Sequence, residues 1–170
     1  IPKPALPILN VPMIFWNAIY FRKSQIQNTV VNTFHLEDVL RERLSDYDHH
    51  FVFSSDGKEV LGTGGGIANN KDLLINSEDF WVINGDGFFL SDVDFVSLAE
   101  KRHQQTGAIC TLVVTDHPGV GQQFGGVWVD AFGKVLAIGK NKPQEAARGF
   151  HFTGFRVLSR KIFHHLPTHG

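Results

Sequence analysis

Short apolar runs alternate with segments of helical periodicity along almost the whole chain. The run "FWVI" at 80–83 and the run "CTLVV" at 110–114 contain almost no polar side chain. Between such runs lie segments like "LEDVLRERL" at 36–44, whose leucines and valine fall on one helical face and whose charges fall on the other. Strands that are apolar throughout and separated by helices are typical of a largely parallel sheet with both faces covered. The alternation therefore predicts an α/β fold with three layers and a mixed, mostly parallel sheet.

The size and charge of the chain favour one compact unit. Its 170 residues are 42% hydrophobic and 19% charged, which suits a single domain over residues 1–170. Sixteen basic and 17 acidic residues nearly cancel, so no basic stripe indicates nucleic-acid binding. The apolar runs are too short to span a bilayer, and no membrane partner is expected. The one cysteine, Cys110, lies in an apolar run and is predicted to be buried; with no pairing partner, it favours a reducing, cytoplasmic location.

Local signals place the other elements. A helical stripe runs through "MIFWNAIYFRKS" from 13 onward, and the β-branched "NTVVNTF" predicts a strand. In "SDVDFVSLAEKRHQQTG", Ser91 and Asp94 form a capping box for a helix that ends at Gly107. "GGVWVD" and "KVLAIG" flank "AFG" as the strands of a hairpin would, and "FHFTGFRVLS" predicts a strand that leads into a short last helix.

A block of glycines, "GTGGGI" at 62–67, joins the predicted strand "HHFVFSS" to a predicted helix "IANNKDLLIN". It is not a P-loop, since no Gly-Lys-Ser/Thr follows, and Ile67 stands where a dinucleotide fingerprint needs glycine. Two interpretations remain open on these residues alone. The block is either a tight turn that needs several positive φ values, or bare backbone that lies against a planar base or sugar.

The tetrapeptide "NGDG" at 84–87 ends the apolar strand "FWVI". In α/β sheets ligands collect at the carboxyl ends of strands, and Asp86 is predicted to lie there between two glycines. A single carboxylate in such a place suits Mg²⁺, which keeps waters and substrate phosphates as its remaining ligands. An aspartate that only caps its own turn is the equal alternative.

Together these residues resemble a known family. "IPKPALPILNVPMI", "VVNTFHLEDVL", "LGTGGGI", "WVINGDGFF" and "GFHFTGFRVLSRKIF" occur in the order and approximate spacing seen in sugar-1-phosphate nucleotidyltransferases, which include mannose-1-phosphate guanylyltransferases and N-acetylmuramate-1-phosphate uridylyltransferases. The resemblance implies a Rossmann-like fold in which a nucleoside triphosphate and a sugar phosphate share one cleft. It also implies a Mg²⁺ cofactor, and a homo-oligomer is compatible with it.

The resemblance implies roles for the residues at matching positions. Catalytic contacts to phosphate and to magnesium are expected at Lys3 and Asp86. Contacts to the nucleotide base are expected at Gly62, Thr63, Gly64 and Gly65, and contacts to the sugar phosphate at Lys142, Thr153 and Gly154. The implied reaction joins two anions, so a metal and lysines would screen their repulsion, and no activated serine or cysteine is needed.

The chain also departs from the family pattern. The glycine-rich signature that should precede Ile1 is absent, Asn141 stands where the family has a sugar-binding glutamate, and a second metal carboxylate would follow Gly170. We therefore expect a partial catalytic domain of a longer protein. Two alternatives stay open: a regulatory homologue that keeps the fold and binds nucleotide without chemistry, and a metal-dependent glycosyltransferase that uses Asp92 and Asp94.

Overall fold

Helices and strands alternate through most of the chain, as the sequence predicts. The structure, a computed structural model, describes residues 1–21, 26, 28–47, 51–57, 59–88 and 90–166. The helices are α1 Met13–Ile19, α2 Glu37–Leu44, α3 Gly62–Asn69, α4 Lys71–Leu74 and α5 Phe95–Thr106, with short 3-10 turns at Lys3–Ala5 and Arg160–His164. The strands are β1 Pro7–Ile8, β2 Val11–Pro12, β3 Thr29–Thr33, β4 Phe51–Ser55, β5 Asp79–Ile83, β6 Cys110–Thr115, β7 Gly126–Val129, β8 Val135–Gly139 and β9 Arg148–Ser159. The ends of two predicted elements, residues 22–24 and 49–50, lie outside the described residues.

The α/β class is confirmed, but the prediction of mostly parallel pairing is wrong for the described strands. Only β3 and β4 pair in parallel there. The larger sheet has the order β5-β9-β7-β8, with β6 also paired to β9, and each of its ladders is antiparallel. Because β5 and β6 are both antiparallel to β9, they run in the same direction and α5 connects them. Strands β5 and β6 thus run in parallel, as the alternation predicts. They do not pair with each other, because β9 lies between them and pairs with both.

Strand β9 carries the core of this sheet because its residues alternate between two covered faces. Phe155 is 1% exposed and packs with Phe95 and Val96 of α5. On the opposite face, Leu158 is buried, and Phe80 of β5 stacks on Phe163. Strand β5, which leads to the "NGDG" turn, is therefore packed on both faces. Helix α5 covers one face, and Phe163 covers the other at Phe80.

The amino-terminal part has a core of its own. Val31 of β3 packs with Leu40 and Leu44 of α2, and Ala5 from the 3-10 turn completes the cluster. Phe15 of α1 also packs against it. The turn that carries Lys3 is thus fixed to β3 and α2 through the next residue but one, Ala5.

Two local predictions need correction. Helix α5 is capped by Asp94, whose carboxylate accepts hydrogen bonds from the backbone N–H and hydroxyl of Ser97, whereas Ser91 bonds to the backbone of Val93. Cys110 is exposed rather than buried, because it is the first residue of β6 and lies at the end of the sheet. The end of α5 at Gly107, in the left-handed conformation, is confirmed. Among the described residues, every helix is too short or too polar to cross a membrane.

Candidate active site

The turn after β5 brings two predicted site residues together. Asp86 follows the carboxyl end of β5, and the Nζ of Lys3 lies 3.8 Å from its Oδ2. Both side chains are largely exposed, at 76% for the lysine and 52% for the aspartate. An ion pair with this exposure contributes little to stability, so both groups are free to contact a ligand.

Close packing explains why Lys3 reaches this turn. A Cβ built on Gly85 would lie 3.3 Å from the Cγ of Pro4, so the glycine lets the amino-terminal segment approach the turn. Ala5, two residues after Lys3, is buried in the amino-terminal core. The segment is therefore held at Pro4 and at Ala5, and Lys3 lies beside Asp86.

The buried side chain of Asn17 holds the turn from below. Its Nδ2 donates hydrogen bonds to the carbonyl oxygens of Gly87, at 2.8 Å, and of Asn84, at 3.4 Å, which bracket Asp86. Asn17 is 2% exposed and lies on the apolar stripe of α1. The sequence signal was present, since an asparagine three residues after Ile14 is a polar group on the face that faces the core. The pattern does not indicate its partners, because residues 84 and 87 lie far along the chain.

We expect Asn17→Leu to loosen this turn. The substitution keeps the side-chain size but leaves two carbonyl groups without their donor, which costs about 1–3 kcal/mol for each group that stays buried. Urea unfolding should show the loss, and hydrogen exchange of the amides at 84–87 should accelerate. Asn69→Leu is the control, because Asn69 is exposed and donates to the single carbonyl of Ser55. Equal effects of the two substitutions would contradict the assigned role of Asn17.

The predicted sugar-binding pair forms an irregularity in β9 beside the same turn. The register between β6 and β9 shifts between Leu112 and Val114, and Gly154 takes a φ of +93° opposite this shift. The hydroxyl of Thr153 donates to the carbonyl oxygen of Val113 at 2.8 Å. The carbonyl oxygen of Gly154 accepts from the backbone N–H of Asn84 at 3.0 Å. Bulges of this kind often lie next to active sites, where they redirect the chain.

The glycine block was predicted to precede a helix. In the structure it forms the first turns of that helix. Helix α3 starts at Gly62, whose φ is +66°. Gly62 and Thr63 are exposed, Gly64 is partly exposed, and Gly65 and Gly66 are buried. The first two residues and part of the third are therefore open to a ligand, whereas Gly65 lies on the packed side.

Packing against β3 explains the buried half of the block. A Cβ on Gly66 would lie 2.9 Å from the Nδ2 of Asn32, so only glycine fits there without displacing that side chain. Asn70, at the end of the helix, donates to the carbonyl oxygen of Gly66 at 2.8 Å and to the Oδ1 of Asn32 at 3.3 Å. Tertiary contacts thus override the low helix propensity of glycine.

Lys142 is not joined to the other predicted residues. It is exposed in the segment between β8 and β9, and no hydrogen bond or ion pair within the described residues ties it to the turn at Asp86. Nor do three or more histidine, cysteine or acidic side chains in that part of the chain meet as a metal cluster. Asp86 is therefore a single exposed carboxylate.

No family model matches the chain. Individual proteins of known activity are nevertheless similar to it in sequence. The chain is 26% identical over 182 residues to a UTP–glucose-1-phosphate uridylyltransferase of Synechocystis sp., covering 99% of this chain and 46% of that protein. It is 31% identical over 103 residues to a D-glycero-α-D-manno-heptose 1-phosphate guanylyltransferase of Campylobacter jejuni, covering 60% of this chain and 46% of that protein. The chain thus spans about half the length of these curated relatives.

Solved structures share the fold. HddC from Yersinia pseudotuberculosis superposes with a TM-score of 0.75 and 24% identity, over 98% of this chain and 71% of that one. A second structure of HddC is a complex with GMP-PN. The relatives agree in being sugar-1-phosphate nucleotidyltransferases, and the match extends over nearly all of this chain. Over the part that it spans, the chain is similar in sequence to sugar-1-phosphate nucleotidyltransferases and shares the fold of HddC.

Proposed function

We propose that the protein transfers a nucleotidyl group from a nucleoside triphosphate to a sugar-1-phosphate, giving a nucleotide sugar and pyrophosphate. A phosphate oxygen of the sugar-1-phosphate attacks the α-phosphorus, and the bond to the β-phosphate oxygen breaks as pyrophosphate leaves. The pair formed by Lys3 and Asp86 is the observation that carries the proposal. A cation and a carboxylate at the carboxyl end of β5 are what a site for phosphates and a divalent ion requires.

The donors at this turn fit magnesium. Mg²⁺ is commonly held by one or two carboxylates, with waters and substrate phosphates as its other ligands, and Asp86 supplies one exposed carboxylate. When bound, the ion would neutralise charge that develops on the phosphates. The ammonium of Lys3 would then turn from Asp86 to a phosphate oxygen and offset the repulsion between the two substrates.

The nucleotide is proposed to bind at the start of α3. Gly62 and Thr63 are exposed there, and the first N–H groups of a helix have no partner within the helix. Backbone without side chains lets a planar base approach closely at Gly62 and Gly64. Gly65, predicted with them, is buried and would support this surface from behind by allowing the helix to pack.

The sugar phosphate is proposed to bind beside the irregularity of β9. Gly154 contacts the backbone of Asn84, which leads directly into the turn at Asp86. The hydroxyl of Thr153 is already bonded to Val113, so its role is to shape the strand. Lys142 would have to approach from the exposed segment before β9 to contact the phosphate. We further propose that residues 1–170 form part of a single catalytic domain of the Rossmann-like type.

Turnover of the whole natural protein tests this proposal. The protein is incubated with Mg²⁺, a sugar-1-phosphate and each of UTP, GTP, dTTP, CTP and ATP, and pyrophosphate release is measured. Release with one triphosphate, and only when a sugar-1-phosphate is present, is the expected result. Binding of triphosphate, seen as a rise in melting temperature, without any release would instead identify a regulatory homologue.

A glycosyltransferase that uses Asp92 and Asp94 is disfavoured by the structure. Both carboxylate oxygens of Asp94 accept hydrogen bonds from Ser97 at the start of α5. The carboxylate is therefore committed to capping a helix.

A further inference from the structure

Arg156 lies in the middle of the sheet, close to the turn at Asp86. It pairs with Val82 of β5 on one side and with Leu112 of β6 on the other. Its neighbour Phe155 packs against α5, and successive residues of a strand point to opposite faces. The guanidinium of Arg156 is therefore on the face of the sheet that is turned away from α5.

The hydrogen bonds of Arg156 are incomplete. One Nη2 group donates to the Oδ1 of Asn84 at 3.2 Å, and the guanidinium lies 5.4 Å from the ring centre of Phe152. Its Nε is buried and has no acceptor within the described residues. An arginine carries five N–H donors in a fixed planar fork, and within the described residues only Nη2 has an acceptor.

The charge of Arg156 is also not balanced within the described part of the chain. Two exposed arginines of this part of the chain do have a carboxylate partner: a guanidinium nitrogen of Arg148 lies 3.0 Å from Asp116, and one of Arg41 lies 2.7 Å from Glu37. Arg156 is half-buried, and no carboxylate of the described residues lies within ion-pair distance of it. Burial lowers the pKa of its guanidinium, which still keeps its proton at neutral pH because the ordinary pKa of arginine is so high. Arginine is almost never fully buried without a partner, and this half-buried one has no carboxylate beside it among the described residues.

The position of Asn84 connects this cation to the candidate site. Asn84 is exposed, precedes Asp86 by two residues, and receives the guanidinium on its side chain. The guanidinium of Arg156 is therefore hydrogen-bonded to the turn that carries Asp86. Phosphate matches the planar fork of a guanidinium with two parallel hydrogen bonds.

We propose that Arg156 binds a phosphate group of one of the two substrates, with Asn84 orienting its guanidinium. This inference rests on the proposed function. The phosphate belongs either to the sugar-1-phosphate or to the triphosphate, and kinetics with each substrate varied in turn distinguishes the two.

The kinetic test uses Arg156→Met in the whole protein. Loss of charged hydrogen bonds to one substrate should lower kcat/KM for that substrate by about 10- to 100-fold. The substrate whose KM rises identifies the source of the phosphate. Arg148→Met is the matched control, since Arg148 lies on the same strand and over an aromatic ring but is paired with Asp116, and it should leave both values unchanged. Values of kcat/KM within about twofold of the unsubstituted protein for both substrates would overturn the proposal.

A second measurement does not depend on how well the methionine variant folds. The Nε–H resonance of Arg156, assigned by its loss in Arg156→Lys, is followed in the unsubstituted protein as sugar-1-phosphate, triphosphate or inorganic phosphate is added. A shift with one substrate supports the proposal, and a shift with neither substrate overturns it. If the protein shows no transferase activity but the resonance still responds to triphosphate or sugar-1-phosphate, the proposed function fails while the phosphate site stands.

Discussion

Asp86→Asn is expected to lower kcat for nucleotidyl transfer by about 10²- to 10³-fold while the protein stays folded. The amide keeps the shape of the side chain but removes the negative charge that would hold Mg²⁺, and metal assistance is worth several kcal/mol of transition-state stabilisation. Folding should be nearly unaffected, because the only ion pair that Asp86 makes within the described residues is the exposed one with Lys3. Pyrophosphate release and a thermal unfolding curve measure the two effects.

Asp92→Asn provides the control for this substitution. Asp92 is exposed and lies six residues further along the same connection to α5. Its substitution removes the same charge as Asp86→Asn. It should leave kcat unchanged. Full activity of Asp86→Asn, or an equal loss in both variants, would remove Asp86 from the role proposed for it.

Phe155→Ala is expected to lower the free energy of unfolding by about 3–5 kcal/mol, the usual cost of removing a large aromatic side chain from a packed core. Phe155 is 1% exposed, and its ring centre lies 5.3 Å from that of Phe95 and 6.3 Å from that of Tyr20. The cavity would lie where β9 contacts α5, so neither element could fill it without moving the other.

Urea unfolding measures this loss, with Phe132→Ala as its control. Phe132 is 83% exposed at the end of the β7–β8 hairpin, and its removal should change stability by less than about 0.5 kcal/mol. A small effect of Phe155→Ala would mean that the sheet does not depend on the contact between β9 and α5.

Much of the fold follows from local patterns. The period of 3.6 predicts α2, the apolar runs predict β5 and β6, and the paired runs around "AFG" predict the hairpin of β7 and β8. Pairing between distant strands has no such signal. The sequence contains nothing local that places β9 between β5 and β6, because that arrangement depends on contacts across the whole sheet.

The candidate site divides in the same way. The resemblance to a family predicts Lys3 and Asp86, and the structure brings them together. It does not indicate Asn17 or Arg156, since each acquires its importance from a backbone carbonyl or side chain far along the chain. The prediction that the glycine block is a loop before the helix was wrong for another reason. A run of glycines indicates a turn by its local propensity, and only the packing of Gly66 against Asn32 shows why it is helical.

The central position of β9 also has a consequence for biosynthesis. Strands β5 and β6 leave the ribosome well before residues 148–159, the segment that both of them must pair with. Until that segment emerges, the nascent chain carries two apolar strands with open edges, which are surfaces that chaperones bind and that aggregate when unprotected. Assembly of the sheet, and of the turn at its end, thus has to wait until residues 148–159 have emerged.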